Sequence, residues 1–269
     1  MTQSGDRQYN PEGSVLRNAQ MRMLDILVEV DRICREQNIE YWMDAGTLLG
    51  AVRHKGFIPW DDDLDICIMK KDYKRFRKAM LDNLSERFAY QDWTTDSHHF
   101  EMSPRIRDLH SLFDLPVERM QKYRGLFLDV VLLERIPSMK VQHMVYLLYG
   151  RVTRTMHNYG DTMYESPLRR VWTKAAAYLL WPFVWCFTGV FRLYANLVKS
   201  DVIGRYYVGF RNPRYLSHVF PLTELPFEGH MFYAPGNADA YLTAMYHDYM
   251  KLPPESERCG HNVKIEIYD

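Results

Sequence analysis

Apolar residues recur at three- and four-residue spacings through Val15, Leu16, Ala19, Met23, Ile26, Leu27, Val30 and Ile33. That period predicts a helix with one buried face, and Asn10-Pro11-Glu12 ahead of it reads as the helix start. A second stripe of Tyr73, Phe76, Met80 and Leu84 predicts an amphipathic helix from Asp72 to about Phe88, its Lys and Arg residues forming a solvated face. Between the two, Ile39–Met43 reads as a short strand, Gly46-Thr47 as a turn, and the residues from about Leu48 to His54 as a helix closed by Gly56. The apolar run Ile66-Cys67-Ile68-Met69 reads as a strand, and further strands are expected near Phe88–Trp93, Glu101–Arg107 and Leu126–Leu133. Asn237 to Tyr246 makes a last short helix. Strands interleaved with helices in this order predict an α/β (α+β) fold, a mixed β-sheet with flanking helices plus a mainly helical subdomain. The expected division is a core over 1–139, a helical insertion over 140–210, and a C-terminal segment over 211–269 that completes the core.

One stretch departs from that amphipathic pattern. Ala175 to Phe191 carries no charge and holds Leu179, Leu180, Trp181, Phe183, Trp185 and Phe187, with Arg169, Arg170 and Lys174 before it and Arg192 after. Its seventeen uncharged residues sit at the lower limit for spanning a bilayer, which takes ~20, and Pro182 interrupts them, so a spanning helix is the disfavoured reading. Two readings stand at this point: an interfacial helix or helical hairpin at a membrane surface, and a buried core helix of the helical subdomain.

Composition narrows the function classes. The chain has 269 residues, 47% of them hydrophobic, enough for one large domain or for a catalytic half and a helical half. Its 34 basic and 34 acidic residues give no net field toward nucleic acid, so a nucleic-acid partner is not expected. Cys34, Cys67, Cys186 and Cys259 are scattered without a Cys-x-x-Cys pair, and Met-Thr-Gln-Ser-Gly-Asp at the start lacks the regions of a signal peptide. A cytoplasmic, reducing location without structural zinc is the expectation.

The chemistry concentrates between Asp44 and Ile66, where a glycine turn (Gly46-Thr47), a basic cluster (Arg53-His54-Lys55) and Asp61, Asp62, Asp63 and Asp65 lie close together in sequence. These carboxylates repel one another, and setting them at the mouth of an apolar strand is costly without a cation. On a strand Asp61, Asp63 and Asp65 project to one side, which suits magnesium, an ion held by one or two carboxylates plus substrate phosphates. An EF-hand fails, because Ile66 stands where its loop needs Gly and Asp72 where it needs a bidentate Glu. A helix N-terminus at Gly46-Thr47 facing the Asp cluster can hold phosphate, with Arg53 or Lys55 neutralising the remaining charge.

Gly46-Thr47 followed by Asp63-Leu64-Asp65-Ile66 resembles the signature of the nucleotidyltransferase superfamily. The fuller string from Asp44 to Asp65 resembles the LicD family of phosphocholine transferases, which includes the fukutin-type ribitol-phosphate transferases. Phe127-Leu-Asp129-Val-Val, and the segment from Tyr241-Leu to Leu252-Pro-Pro with Arg258 and His261, resemble later family segments. His247 departs from the family pattern, which often has Gly there, and the gap from Gly-Thr to Asp-x-Asp is longer than in many superfamily members.

The resemblance implies a nucleotidyltransferase-like sheet in which Asp63 and Asp65 hold Mg²⁺ (or Mn²⁺), with Asp129 and Asp61 contributing further carboxylates. It implies Gly46, Thr47, Arg53 and Lys55 as the nucleotide- or substrate-binding set. The implied reaction moves phosphocholine or a similar group from a CDP-linked alcohol to a hydroxyl of a cell-surface glycan or its lipid-linked precursor, with Asp129 or Asp61 as base and CMP leaving. Acceptors of that kind favour the membrane-surface reading of Ala175–Phe191, at the inner face of the cell membrane. Transfer from a nucleoside triphosphate with release of pyrophosphate, and a non-catalytic membrane-associated scaffold, are the competing functions.

Overall fold

A computed structural model describes residues 10–156, 166–207, 212–258 and 263–268. The chain begins with helix α1 (Val15–Glu36), then β1 (Tyr41–Met43), α2 (Ala45–His54), β2 (Asp65–Met69), α3 (Tyr73–Asn83), β3 (Phe88–Gln91), β4 (Arg105–Asp108), β5 (Ser111–Phe113) and β6 (Phe127–Arg135). Two long helices follow, α4 (Met139–Met156) and α5 (Pro167–Leu197), and then β7 (Val202–Gly204), β8 (Arg214–Tyr215), α6 (Leu216–Val219), β9 (Thr223–Phe227), β10 (His230–Ala234), α7 (Ala238–Tyr246) and β11 (Ile265–Ile267).

The main sheet runs β1-β2-β6-β4-β3, with β7 added to the end of β6 and β8 to β7. β2 and β6 are parallel and the other pairs antiparallel, so the sheet is mixed as expected. The interior strands read as apolar runs because both sheet faces are covered: Ile66, Cys67 and Ile68 of β2 and Val130–Leu133 of β6 are buried. The α1 stripe from Ala19 to Cys34 fills the core beneath them. Val15, expected on that stripe, is 60% exposed, because the helix starts at Val15 itself, with Ser14 as N-cap accepting from the Arg17 N–H.

Other boundaries moved for local reasons. α2 begins at Ala45, so Gly46 and Thr47 lie within its first turn instead of forming a turn before it. α3 stops at Asn83, whose side chain donates to the Ala79 carbonyl at 2.8 Å, and the chain is extended from Leu84. The β9–β10 hairpin turns at Glu228 and Gly229, both with positive φ (48° and 82°), as a two-residue primed turn requires. Glu228 then ties the hairpin down, accepting from Arg17 at 2.9 and 2.7 Å and from the Phe57 N–H at 3.1 Å.

α4 and α5 form a second apolar cluster with Ile136, Val145, Tyr149, Tyr206 and Tyr207. On α5 the buried positions are Ala177, Val184, Thr188 and Ala195, a narrow seam against its surroundings. Leu179 and Phe183 are each 74% exposed and Trp172 73%, so α5 is not the buried core helix that one of the two expectations allowed.

Candidate active site

The acidic residues meet where β2 and β6 begin. In the parallel register Asp65 stands beside Asp129, and on the other side of β6 Asp129 stands beside Arg105 of β4. Three adjacent strands therefore carry an Asp-Asp-Arg row on one face. Arg105 answers Asp129 through Nε at 2.5 Å and Nη2 at 3.5 Å, and it also pairs with Glu118. Glu118 accepts in turn from Arg107 at 2.8 Å, and both guanidiniums stack on Phe127, at 4.1 and 4.7 Å from the ring centre. This buried support fixes Asp129, whose side chain keeps 26% exposure and so still faces the site.

Asp61 and Asp63 do not reach the site along a strand, as sequence alternation predicted. Regular β structure starts only at Asp65, and residues 61–64 form an irregular approach. Their position comes instead from α1 and α2. Gln20, buried on α1, donates to the carbonyls of Ile58 at 3.2 Å and Asp61 at 2.9 Å. On α2 the hydroxyl of Thr47 accepts the Asp65 N–H at 2.8 Å, while the Asp44 N–H reaches the Asp65 carbonyl at 3.1 Å. Thr47 is buried, so its place is to lock α2 to β2 behind the carboxylates.

Gly46 is where the helix start meets the cluster. A Cβ there would lie 2.5 Å from Asp61 Oδ2 and 3.9 Å from Asp63 Oδ1. Gly46→Ala is expected to leave α2 intact, since Ala is the better helix former, yet to push Asp61 aside. Displacements of about 1 Å at a reacting centre can cost ~10²-fold. We expect roughly that loss of turnover with little change in melting temperature, measured by parallel steady-state assays and thermal melts.

The carboxylates perturb one another. Burial, then the charges of Asp63 and Asp62, push the Asp61 carboxyl up to about 8. Burial, then Asp63, Asp129 and Asp44, raise Asp65 well above the usual carboxylate range, with Arg205 pulling the other way. Bringing these acids together is unfavourable without added positive charge. Among the described residues no group of three or more His, Cys, Asp or Glu side chains is placed to hold a metal ion. Hard carboxylate oxygens that converge without closing a cage fit magnesium, which takes part of its coordination from substrate phosphates.

Arg53 and the C-cap residue Lys55 belong to the same helix, α2. Because α2 starts at Ala45, they stand at its far end, Arg53 about 10 Å along the axis from Gly46. Arg53 donates to the Tyr249 carbonyl at 3.2 Å, and the exposed Lys55 ammonium to the Val52 carbonyl at 3.3 Å. Two arginines near the carboxylates are Arg105 and Arg205, the latter just beyond β7 and donating to Ser103 Oγ at 3.3 Å. Sequence reasoning missed both, since no motif marks them and only strand register brings them in.

A third arginine acts from behind. Arg214 of β8 grips Asp44 at 2.7 and 3.2 Å and donates to the Tyr241 hydroxyl at 3.0 Å, and that hydroxyl donates to Asp44 at 2.7 Å. All three are almost wholly buried. Burial works against the Asp44 charge, but Arg214 and Tyr241 outweigh it and hold the carboxyl below its usual range. Asp44 makes no side-chain cap on α2; it joins the start of that helix to the C-terminal elements. Arg258, singled out in the sequence, lies over the Trp60 ring at 5.5 Å and donates to the Pro253 carbonyl at 2.9 Å. His261 and Cys259 fall outside the described residues.

Residues 38–149 match the family model of the LicD/FKTN/FKRP nucleotidyltransferase domain, a span from β1 through most of α4 that includes the whole acidic row. Over 93% of its length the chain is 26% identical to the lipopolysaccharide cholinephosphotransferase LicD of Haemophilus influenzae, covering 96% of that protein. A stretch of 34 residues, 13% of this chain and 7% of the relative, is 50% identical to the human ribitol 5-phosphate transferase FKRP. An uncharacterized protein of Rickettsia prowazekii is 30% identical over 44% of this chain and 41% of its own.

Proposed function

We propose that the protein, a phosphate-group transferase whose residues 38–149 match the LicD/FKTN/FKRP nucleotidyltransferase domain, moves a phospho-alcohol such as phosphocholine from a CDP-linked donor to a hydroxyl of a cell-surface glycan or its lipid-linked precursor, releasing CMP. The observation that carries this is the pairing of Asp65 with Asp129 across the parallel strands, with Asp61 and Asp63 beside them at the start of α2.

Asp61, Asp63, Asp65 and Asp129 would hold a magnesium or manganese ion, which when bound neutralises donor phosphate charge and eases departure of CMP. The first N–H groups of α2 face the same space and favour a phosphate oxygen. Arg205 adds a further cation for the donor phosphate, from the β7 side, beside Arg53 and Lys55 of α2. The acceptor oxygen attacks phosphorus, the bond to CMP breaks, and the hydroxyl proton passes to Asp129 or Asp61. Arg105 keeps Asp129 in one orientation throughout.

Thermal shift with CDP, CMP, CDP-choline, CTP and ATP, each with and without Mg²⁺, tests the donor class. A donor at about 100 times its Kd stabilises by ~2.7 kcal/mol, or ~5–10 °C for a chain of this size. The expected result is Mg²⁺-dependent stabilisation by the CDP compounds that disappears in Asp63→Asn. Stabilisation by CTP or ATP alone would move the reaction to nucleotidyl transfer with pyrophosphate release, and a flat panel would favour a scaffold.

A further inference from the structure

The helical hairpin presents a surface that the proposed chemistry does not use. Its apolar side chains are exposed nearly all round α5: Trp172, Leu179, Phe183 and Leu193 are each more than 60% open to solvent. Exposed apolar area on this scale marks an interaction site. The charge on the two helices themselves has one sign, while the segment that joins them holds Asp161 and Glu165. α4 carries Lys140, Arg151 and Arg154, α5 carries Arg169 and Lys174 besides an Arg192 already paired with Glu134, and neither helix contains an Asp or Glu.

We propose that the α4–α5 hairpin docks the protein on the surface of a bilayer containing anionic lipid, with α5 lying in the boundary between headgroups and acyl chains. The charge chooses this occupant over a second copy of the chain, because two such faces would bring like charges together, whereas an anionic headgroup layer complements them. The aromatic positions decide between lying on and crossing the bilayer. A crossing helix gathers Trp and Tyr at its two ends. Trp172, Tyr178, Trp181, Trp185 and Tyr194 are instead spread along α5, as suits a helix lying in the interface. Near its C-terminal end α5 is also tied to the main sheet, through Arg192 to Glu134 of β6 at 2.7 Å.

Docking brings the acidic row toward the headgroups. Gly150 and Tyr149 of α4 adjoin Tyr207, whose hydroxyl lies 3.1 Å from Ser103 Oγ, two residues before Arg105. The docking rests on the hairpin alone and does not depend on the donor or acceptor proposed above.

The test is flotation of the full-length chain with phosphatidylcholine vesicles and with vesicles containing one quarter phosphatidylglycerol, at low and high salt. The wild type is expected to float with the anionic vesicles, weakly with the neutral ones, and less as salt rises. Leu179→Glu/Phe183→Glu, both at open positions, is expected to lower the partition coefficient by roughly tenfold or more, with an unchanged far-ultraviolet dichroism spectrum and melting temperature. Lys174→Glu lowers binding to anionic vesicles only. Equal flotation of the Leu179→Glu/Phe183→Glu chain overturns the proposal, as does a wild type that ignores both vesicles, whether monomeric or dimeric by light scattering. Retention on the vesicles after alkaline carbonate washing overturns the interfacial placement in favour of a spanning helix.

Discussion

Asp65→Asn is expected to lower turnover by about 10³-fold or more while the metal-free protein melts at the same or a higher temperature. The loss follows from the proposed role: Asp65 stands at the junction of β2 and β6, and electrostatic or metal stabilisation of a transferring phosphoryl group is worth several kcal/mol. The stability effect follows from its surroundings. Its carboxyl is raised by burial and by Asp63, Asp129 and Asp44, so at neutral pH the ionised form costs the folded state free energy that a neutral amide of the same shape does not. The sign with pH is fixed by the same shift. A folded-state carboxyl raised above its unfolded value contributes stability at pH below about 4 and loses it as pH rises through the folded value. With Asp61 raised to about 8, the metal-free wild type is expected to lose stability between about pH 4 and pH 8. Mg²⁺ flattens that slope, and Asp65→Asn already starts with a shallower one. Melting curves across pH with chelator and with Mg²⁺, beside activity assays, check both halves. A variant that loses activity only because it unfolds would break the link between the two.

The largest effect on folding is expected from Arg214→Met. Asp44 and Arg214 are 1% and 3% exposed and hold each other in a closed set with Tyr241. Removing one member of a buried ion pair typically costs about 3–5 kcal/mol, because the other charge is left buried and unpaired. For a chain of this length that is ~6–20 °C in Tm. In the wild type Asp44 is held low, so its contribution persists above about pH 4 and fades only as pH falls below the usual carboxylate range. Without Arg214 the same buried carboxyl shifts upward, and the sign reverses: the variant is less destabilised at pH 5 than at pH 7. Asp44→Asn/Arg214→Met is expected to recover part of the loss, since both buried charges are then gone. Denaturant melts of Arg214→Met, Asp44→Asn and the double variant at the two pH values measure this. A double variant as unstable as the sum of the singles would mean that the pair is not a unit.

The elements legible in the sequence are those whose signal is local. The α1 stripe, the apolar runs of β2 and β6 and the strand ending at Met43 follow from period and composition, and the Asp-x-Asp approach marked the place where the carboxylates gather. What the sequence hid depends on partners far along the chain. Arg105 matters because β4 lies next to β6 in register with Asp129, and Arg214 because β8 and α7 close over α2. Gln20 sits in an apolar stripe, where a polar residue flanked by Ala19 and Met23 was itself a sign that a backbone needed clamping. The early start of α2 has Asp44 in the N-cap position, a residue type that favours a helix start, although its carboxyl is turned to Arg214 and makes no cap. The β9–β10 hairpin carried a Glu-Gly turn, but Pro226 inside its first strand masked the alternation. For α5, composition left a core helix and a membrane-surface helix equally open, and only the solvent exposure of its side chains excluded the first.

The central claim, that four carboxylates gathered at the head of two parallel strands drive phospho-alcohol transfer from a CDP-linked donor, is tested most directly by following nucleotide products. The purified full-length chain is incubated with CDP-choline or CTP, with Mg²⁺ or with chelator, and the products are separated by ion-exchange chromatography. The account predicts CMP from CDP-choline, slow with water alone as acceptor, dependent on Mg²⁺ and lost in Asp63→Asn and Asp65→Asn. Pyrophosphate from CTP with no CMP from CDP-choline, or CMP release that persists in both variants, would contradict it.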